Sequence, residues 1–222
     1  GTQLLNAATI DSDHDIAGDC VYQGPTQGFG GAGCNKASGK TMTVSAPPGF
    51  YINKTTPAAS QVVNGPINFA LTLSSVGGDV RNARWIDILP YNGDSAIRSG
   101  GAGTSYAGVL ALSSLTPSAG VVVSYTKMSP AGLSPDPNHA DNDATPASFW
   151  CTSLSGGSCP ANLAEVTALR FEAAQLTSDT VYTVQLALQP SGNNAGDAYI
   201  NTFQATGEVN NLTPTLTSPS IR

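Results

Sequence analysis

The chain has 222 residues, of which only 11% are charged, and its formal net charge is −6. Its four lysines and five arginines are spread along the sequence, so there is no basic stripe for nucleic acid or an anionic membrane. No apolar run approaches the ~18 residues that a membrane span needs, so we expect no membrane insertion. With 40% hydrophobic residues, 24 glycines and 15 prolines, the composition is typical of short strands joined by many turns.

The first part of the chain differs from the rest. Residues 1–48 are polar and rich in glycine and aspartate, with one clear strand-like alternation at residues 41–44. We interpret them as an N-terminal extension or the edge of a preceding domain, and residues 49–222 as the main domain. Because the sequence starts at Gly1 and stops without a tail, we expect it to be a fragment of a longer protein.

A succession of short strands is predicted from residue 49 onward. Apolar and polar residues alternate over residues 67–73, which indicates a half-buried strand. Turn signals separate the segments, such as Asn64-Gly65 before this strand and Gly77-Gly78 after it. In chain order, the predicted strands are 51–55, 67–73, 83–89, 105–112, 120–125, 166–171, 181–188 and 198–203, with a last edge strand near Leu216.

The connecting segments complete the fold prediction. Residues 128–160 form a long loop rich in proline, aspartate, asparagine and serine. Only residues 162–175 are ambiguous between a helix and a strand, because β-branched and aromatic residues interrupt their helical pattern. Seven to nine short strands with turns between them predict an all-β, antiparallel β-sandwich, and a closed barrel is the alternative.

The four cysteines fall into two close pairs, Cys20 with Cys34 and Cys151 with Cys159. Neither pair has the two-residue spacing of a zinc knuckle, so we predict two disulfides, with a four-thiolate zinc site or free buried thiols as the alternatives. Each bridge would stabilise the fold by about 3 kcal/mol in the chain-entropy model. Disulfides also indicate an oxidising, secreted setting.

Four short motifs follow one another in residues 52–203. They are Lys54-Thr55 on the first strand, the alternating strand after Gly65, the strand end Asp87-Ile-Leu-Pro, and Asn201-Thr202 on the last strand. In this order they resemble the immunoglobulin-like repeat domains of bacterial cell-surface proteins of the Gram-positive type. The resemblance implies an immunoglobulin-like β-sandwich at the cell surface, anchored in the cell wall or secreted. It also implies a structural stalk or spacer, or an adhesion module, whose partners are neighbouring domains of the same protein.

The same resemblance extends to pilin and adhesin domains that form an intramolecular isopeptide bond. In those domains a lysine amine attacks an asparagine carboxamide, ammonia leaves, and a buried acid assists. The matching positions here are Lys54, Asn201 and the assisting acid Asp87. Such a bond would close 201 − 54 = 147 residues, and the disulfide formula, used by analogy, gives about 5 kcal/mol.

The alternation of side chains along strands supports this trio independently of the resemblance. Each of the three polar residues shares a strand face with large apolar neighbours, where a lone charge would be expensive. Brought together, the three could satisfy one another. A snorkelling Lys54, a Lys54–Asp87 ion pair without a covalent bond, and Lys40 as the donor remain alternatives. The apolar neighbours are Ile52 for Lys54, Trp85 and Leu89 for Asp87, and Tyr199 and Phe203 for Asn201.

One acidic loop has the spacing of a calcium site. Its four aspartates occupy loop positions 1, 3, 5 and 9, where calcium-binding loops place oxygen ligands. The loop has Ile16 where an EF-hand needs glycine and Tyr22 where it needs glutamate, so we expect a surface calcium loop rather than an EF-hand. Residues 136–143 form a second, less regular acidic loop. The four candidate ligands are Asp11, Asp13, Asp15 and Asp19.

Signals of catalysis are missing from the sequence. The two histidines, His14 and His139, lie in polar segments, and there is neither a Gly-x-Ser-x-Gly elbow nor a His-Glu-x-x-His pair. We therefore expect a non-enzymatic protein that requires no cofactor, with calcium the one candidate ion. Since most aromatic residues have core spacing, we expect no sugar-binding platform. The alternative functions are an adhesin head that binds a host protein or glycan through residues 128–160, or an accessory module of a secreted enzyme.

Overall fold

The computed structural model describes residues 49–94, 103–143 and 150–222, and, within the first 48 residues, the backbone of four strands. The chain forms two compact units, Gly1–Pro47 and Pro48–Arg222. The described helices are single turns of 3₁₀ geometry, and none of them has the length and apolar character needed to cross a bilayer.

The described strands of the first unit form two antiparallel pairs. Strand β1 (Thr2–Ala8) pairs with β4 (Ser38–Val44), and β2 (Val21–Gly24) pairs with β3 (Gly28–Gly30). The alternation noted at residues 41–44 lies within β4.

The second unit consists of two antiparallel sheets. One has four strands in the order β5-β6-β11-β8, and the other has five in the order β13-β12-β7-β10-β9. The all-β, sandwich-like fold predicted from the alternation is confirmed. The strands in chain order are β5 (Gly49–Thr55), β6 (Ile67–Val76), β7 (Val80–Ile88), β8 (Val109–Pro117), β9 (Val122–Thr126), β10 (Ala168–Leu176), β11 (Val181–Ser191), β12 (Gln204–Glu208) and β13 (Thr215–Thr217).

A single apolar core lies between the two sheets. Alternate residues of β6 and β11 point into it from the four-stranded sheet, and alternate residues of β7 and β10 point into it from the other. The rings of Trp85 and Phe171 stack at its centre, with their centroids 5.4 Å apart. Other fully or nearly fully buried members are Phe69, Leu71, Leu73, Leu169, Val184, Leu186, Leu188 and Phe203.

The structure corrects two predicted strands and resolves one ambiguous segment. The strand expected at 105–112 begins only at Val109, since Ser105 makes just an isolated bridge with Ala198. The strand expected at 198–203 is also absent, and β12 starts at Gln204, because residues before it pair singly with other segments. The ambiguous segment 162–175 begins with one 3₁₀ turn, Leu163–Glu165, and continues as β10.

Candidate functional site

Lys54 lies on the inner face of the edge strand β5. The strand alternates, so Phe50 and Lys54 point inward while Tyr51, Asn53 and Thr55 are exposed. Only 1% of Lys54 is exposed, which places a long basic side chain wholly inside the sandwich. The amine therefore does not reach solvent by snorkelling, as one of the alternatives assumed.

Three polar side chains meet in this interior. The amine of Lys54 lies 2.7 Å from Oδ2 of Asp87, and the Asn201 amide donates a longer hydrogen bond of 3.5 Å to the same oxygen. All three residues are at most 1% exposed. The site thus joins the first strand of one sheet to the central strand β7 of the other and to the segment before β12.

The backbone around Asn201 is held by the end of the chain. Asn201 exchanges two backbone hydrogen bonds with Ile221, of 2.9 and 3.0 Å. Two residues further on, the backbone N–H of Phe203 donates to the Ser218 hydroxyl, and the Phe203 carbonyl accepts from the backbone N–H of Ser218. The amide is therefore positioned by the segment that ends at Ile221, through an isolated bridge and not through a strand of its own.

Aromatic rings surround the Lys54 amine. Its nitrogen lies 5.1 Å from the ring centroid of Phe69 and 5.8 Å from that of Phe203, both within cation–π range. Oδ1 of Asp87 is buried and accepts no hydrogen bond from the described residues. In this apolar setting an unsatisfied carboxylate oxygen is energetically costly.

A surface pocket opens beside the trio. It has a volume of about 720 Å³, and its wall includes Ile67, Tyr199, Ile221 and the same Phe69 that lies over the Lys54 amine. The ring of Phe69 therefore lies between the Lys54 amine and a pocket that opens to solvent.

One of the predicted disulfides is present in the described residues. Cys151 and Cys159 are bonded across eight positions of sequence. Cys151 also exchanges two backbone hydrogen bonds with Tyr125 of the edge strand β9, so the bridged loop covers part of that edge. Cys20 and Cys34 lie outside the described residues.

The long loop packs onto the protein along much of its described length. Leu133 and Trp150 are buried against the outward residues Ile86, Ile88 and Ala168 of the five-stranded sheet, where they form a second apolar cluster. These segments therefore cover the sheet instead of standing away from it. A ligand-binding role for residues 128–160 stays a prediction.

Arg170 fixes this loop, a role that the sequence analysis missed. It is 5% exposed, donates to the Asn142 carbonyl at 3.1 Å and lies 5.6 Å from the Trp150 ring centroid. Burial lowers the pKa of Arg170, and neighbouring Glu172 opposes that shift. An arginine between Leu169 and Phe171 in a predicted strand was the signal in the sequence that could have indicated a buried anchor.

The predicted calcium ligands Asp11, Asp13, Asp15 and Asp19 lie outside the described residues. In the second acidic loop the carboxylates are engaged in local contacts. Asp141 lies 3.3 Å from His139, and Asp143 lies 3.2 Å from Arg84. Across the described part of the chain no three His, Cys, Asp or Glu side chains are close enough to hold a metal. Lys40, the alternative donor, lies in β4, whose side chains are not described.

No family model and no curated protein matches the sequence. Several solved structures share a similar arrangement of strands. The major pilin SpaD of Corynebacterium diphtheriae is 8% identical over 77% of this chain and 34% of its own, with a TM-score of 0.39. The major pilin subunit BcpA of Bacillus cereus is 9% identical over 78% of this chain and 39% of its own, with a TM-score of 0.36.

The likeness is not confined to pilins. The reeler domain of human F-spondin is 10% identical over 76% of this chain and 89% of its own, with a TM-score of 0.29. The chain spans well under half the length of either pilin. Identities and TM-scores at this level carry no argument about what the chain does, so the function is inferred from its own residues.

Proposed function

We propose that the unit Pro48–Arg222 is a load-bearing structural or adhesion module of an extracellular surface protein, locked by an isopeptide bond between Lys54 and Asn201. The contact of a fully buried amine, acid and amide carries this proposal. The Cys151–Cys159 disulfide supports an oxidising, extracellular setting. The motif order that resembles bacterial surface repeats agrees with the same location.

The buried trio has the groups that amide exchange requires. Lys54 first passes one proton to Asp87, which leaves a neutral amine beside a neutral acid in a dry interior. The amine nitrogen then attacks Cγ of Asn201 while the acid proton stabilises the developing oxyanion on Oδ1. The bond between Cγ and the amide nitrogen breaks, that nitrogen takes the second lysine proton, and ammonia leaves. The third lysine proton remains on the new amide.

Folding accelerates the proposed reaction by holding the reacting groups in contact. Holding an amine against an amide replaces a bimolecular encounter by contact within one molecule, which is worth up to about 7–11 kcal/mol of the barrier. Apolar surroundings keep water away from Cγ, so hydrolysis of the Asn201 amide does not compete. The pocket beside Phe69 gives ammonia a nearby way out.

The mechanical consequence follows from where the bond lies. Lys54 is on the first strand of the unit and Asn201 immediately precedes β12, so the bond ties one sheet to the other. A pull on the two ends of the unit would then run from β5 through the crosslink to the C-terminal segment. The residues between them would be shielded from extension.

Single-molecule extension of the unit by its ends tests the load-bearing role directly. Wild type should never release the span between the two residues, whereas Asp87→Ala should release it, adding about 500 Å of contour length at ~3.4 Å per residue. Asp141→Ala removes a half-exposed acid far from the trio in the sequence and should behave as wild type. Release of the full span by wild type would rule out a covalent lock.

A further inference from the structure

The outer face of the four-stranded sheet carries no charge. Each strand of this sheet sends alternate side chains to the inside, and those facing outward on β5, β6, β8 and β11 are neutral throughout. The single charged residue on these four strands, Lys54, points inward. We call this surface the neutral face, and its central outward side chains are Tyr51, Asn53, Ser74, Thr72, Thr183 and Gln185.

The side chains of the neutral face form rows across the strands. In one row Asn53 of β5 lies opposite Thr72 of β6, which lies opposite Thr183 of β11. In the next row, Ala70 of β6 lies opposite Gln185 of β11. Adjacent strands are about 4.8 Å apart, and equivalent positions along a strand repeat at ~6.8 Å. The rows therefore present a regular lattice of hydroxyl and amide groups.

Tyr51 lies flat at one corner of this lattice. It is 50% exposed, and a Cβ at Gly49 would lie only 2.6 Å from atoms of its ring. The ring therefore lies over the backbone of Gly49, two residues back on the same face, with Ser74 opposite it in the register. Tyr51 is an exception to the core spacing of most aromatic residues, since it offers its ring face to solvent beside neutral polar groups.

The opposite side of the sandwich has a different character. There Arg84, Arg170 and Glu172 lie on neighbouring strands, and the long loop packs over them through Leu133 and Asn142. The chain thus places charges and a covering loop on one outer face and leaves the other neutral.

We propose that the neutral face binds an uncharged polysaccharide. Hydroxyl and amide side chains both donate and accept hydrogen bonds, as sugar hydroxyls do, and an exposed aromatic ring packs against the apolar side of a sugar ring. A face without charge suits a ligand without charge, because no ionic group has to be desolvated. An extended glycan chain can contact several rows at once, so individually weak contacts add.

A protein partner fits this face less well. Protein interfaces are enriched in aromatic residues, methionine and arginine at their centres. The neutral face has a single aromatic ring, and its other outward side chains are serine, threonine, asparagine, glutamine, alanine and valine, with Val109 and Val181 exposed towards its margins. Stacking of a second copy is the competing occupant, and the test distinguishes it from a glycan.

Native electrophoresis through gels that contain a soluble polysaccharide tests the proposal. The probes are hydroxyethylcellulose, mannan and dextran, with heparin as the charged comparison and a plain gel as reference. Wild type should be retarded by at least one neutral polymer and not by heparin. Tyr51→Ala should weaken that association about 3- to 10-fold, the range expected for one aromatic contact.

Two further variants keep the test specific. Gly49→Ala retains Tyr51 but lifts its ring from the strand, so it should also weaken retardation, while Gln185→Glu places a charge at the centre of the face and should abolish it. Gln61→Glu, off the face, and Met128→Ala, after β9, are the matched controls and should behave as wild type.

The outcomes are decisive in both directions. Retardation by a neutral polymer that is lost in the face variants and kept in the controls supports the proposal. The proposal is overturned if no neutral polymer retards wild type, or if the face variants are retarded like the controls. It is likewise overturned if sedimentation shows that Tyr51→Ala disrupts only self-association.

Discussion

The Lys54 amine contacts the Asp87 carboxylate at 2.7 Å, and neither side chain has any exposed surface. A pair at this depth costs desolvation energy that its mutual attraction only partly returns, whereas removal of one partner leaves a buried charge uncompensated. The geometry is consequently difficult to explain as a stability device alone. It is readily explained if the ion pair is the starting point of a reaction that removes both charges from the interior.

Breaking the pair one partner at a time should be more damaging than removing both. Lys54→Met and Asp87→Leu each abolish the crosslink, and each leaves the other member of the ion pair buried without its partner. The double variant also abolishes the crosslink but removes both members of the pair. We expect the double variant to be more stable than either single variant by about 3 kcal/mol. Urea unfolding of the three variants measures this. Equal stability of all three would show that the pair is not coupled.

Removal of the second cysteine pair should destabilise the unit moderately. The eight-position loop between Cys151 and Cys159 predicts a loss of about 2–3 kcal/mol in the Cys151→Ala/Cys159→Ala variant. Because Cys151 pairs with Tyr125, exchange of the backbone amide of Tyr125 with deuterium should accelerate more than that of the central strand β7. Uniform acceleration across both strands would argue against a local role for the loop.

Arg170 should be irreplaceable by lysine. A planar guanidinium contacts the Asn142 carbonyl, Glu172 and the face of Trp150 together, which a point-like ammonium does not reproduce. We expect Arg170→Lys and Arg170→Met each to lose about 2–3 kcal/mol and to loosen residues 133–143 in hydrogen exchange. Arg81→Lys, an exposed change on β7, is the control. Full rescue by Arg170→Lys would mean that charge alone matters.

Alkaline pH should weaken the unit through Tyr106. Burial, and to a lesser extent the charge of Asp94, raises the pKa of Tyr106 above its ordinary value of 10.0. The folded state keeps the proton longer than the unfolded state, so this stabilisation is complete below pH 10.0 and is lost as the pH rises through the folded-state pKa. The free energy of unfolding should fall less steeply there in Tyr106→Phe.

Tyr182 provides the matched control for that titration. Its hydrogen bonds with Thr177 lower its pKa, so its ionised form is favoured by folding and Tyr182→Phe should steepen the alkaline loss instead. Identical pH profiles for the two phenylalanine variants would contradict the opposite environments of the two phenols.

Period-two alternation was sufficient to predict which way the buried polar residues point. Asp87 lies between Trp85 and Leu89 at two positions on either side, Lys54 follows Ile52 at the same spacing, and the sheets place Lys54 and Asp87 inside. Asn201 also lies inside, although the strand predicted for it does not form, because it is held by its bridge to Ile221. That pairing joins segments far apart in sequence, which local patterning does not reveal.

The features that the sequence did not predict depend on contacts between distant segments. The packing of the 128–160 loop depends on Leu133 and Trp150 finding the outer residues of β7 and β10. The exposure of Tyr51 depends on β5 being an edge strand with Gly49 beneath the ring. Both arrangements are set by tertiary packing, which the local sequence pattern does not reveal.

The intact mass of the reduced protein is the most direct test of the covalent lock. Wild type should be lighter than its sequence by one ammonia, with Lys54 and Asn201 recovered in a single branched peptide after proteolysis, while Asp87→Ala should have the full sequence mass. A wild-type mass equal to that of the sequence would show that the amine, acid and amide lie together without reacting, and the account of a covalently locked module would be wrong.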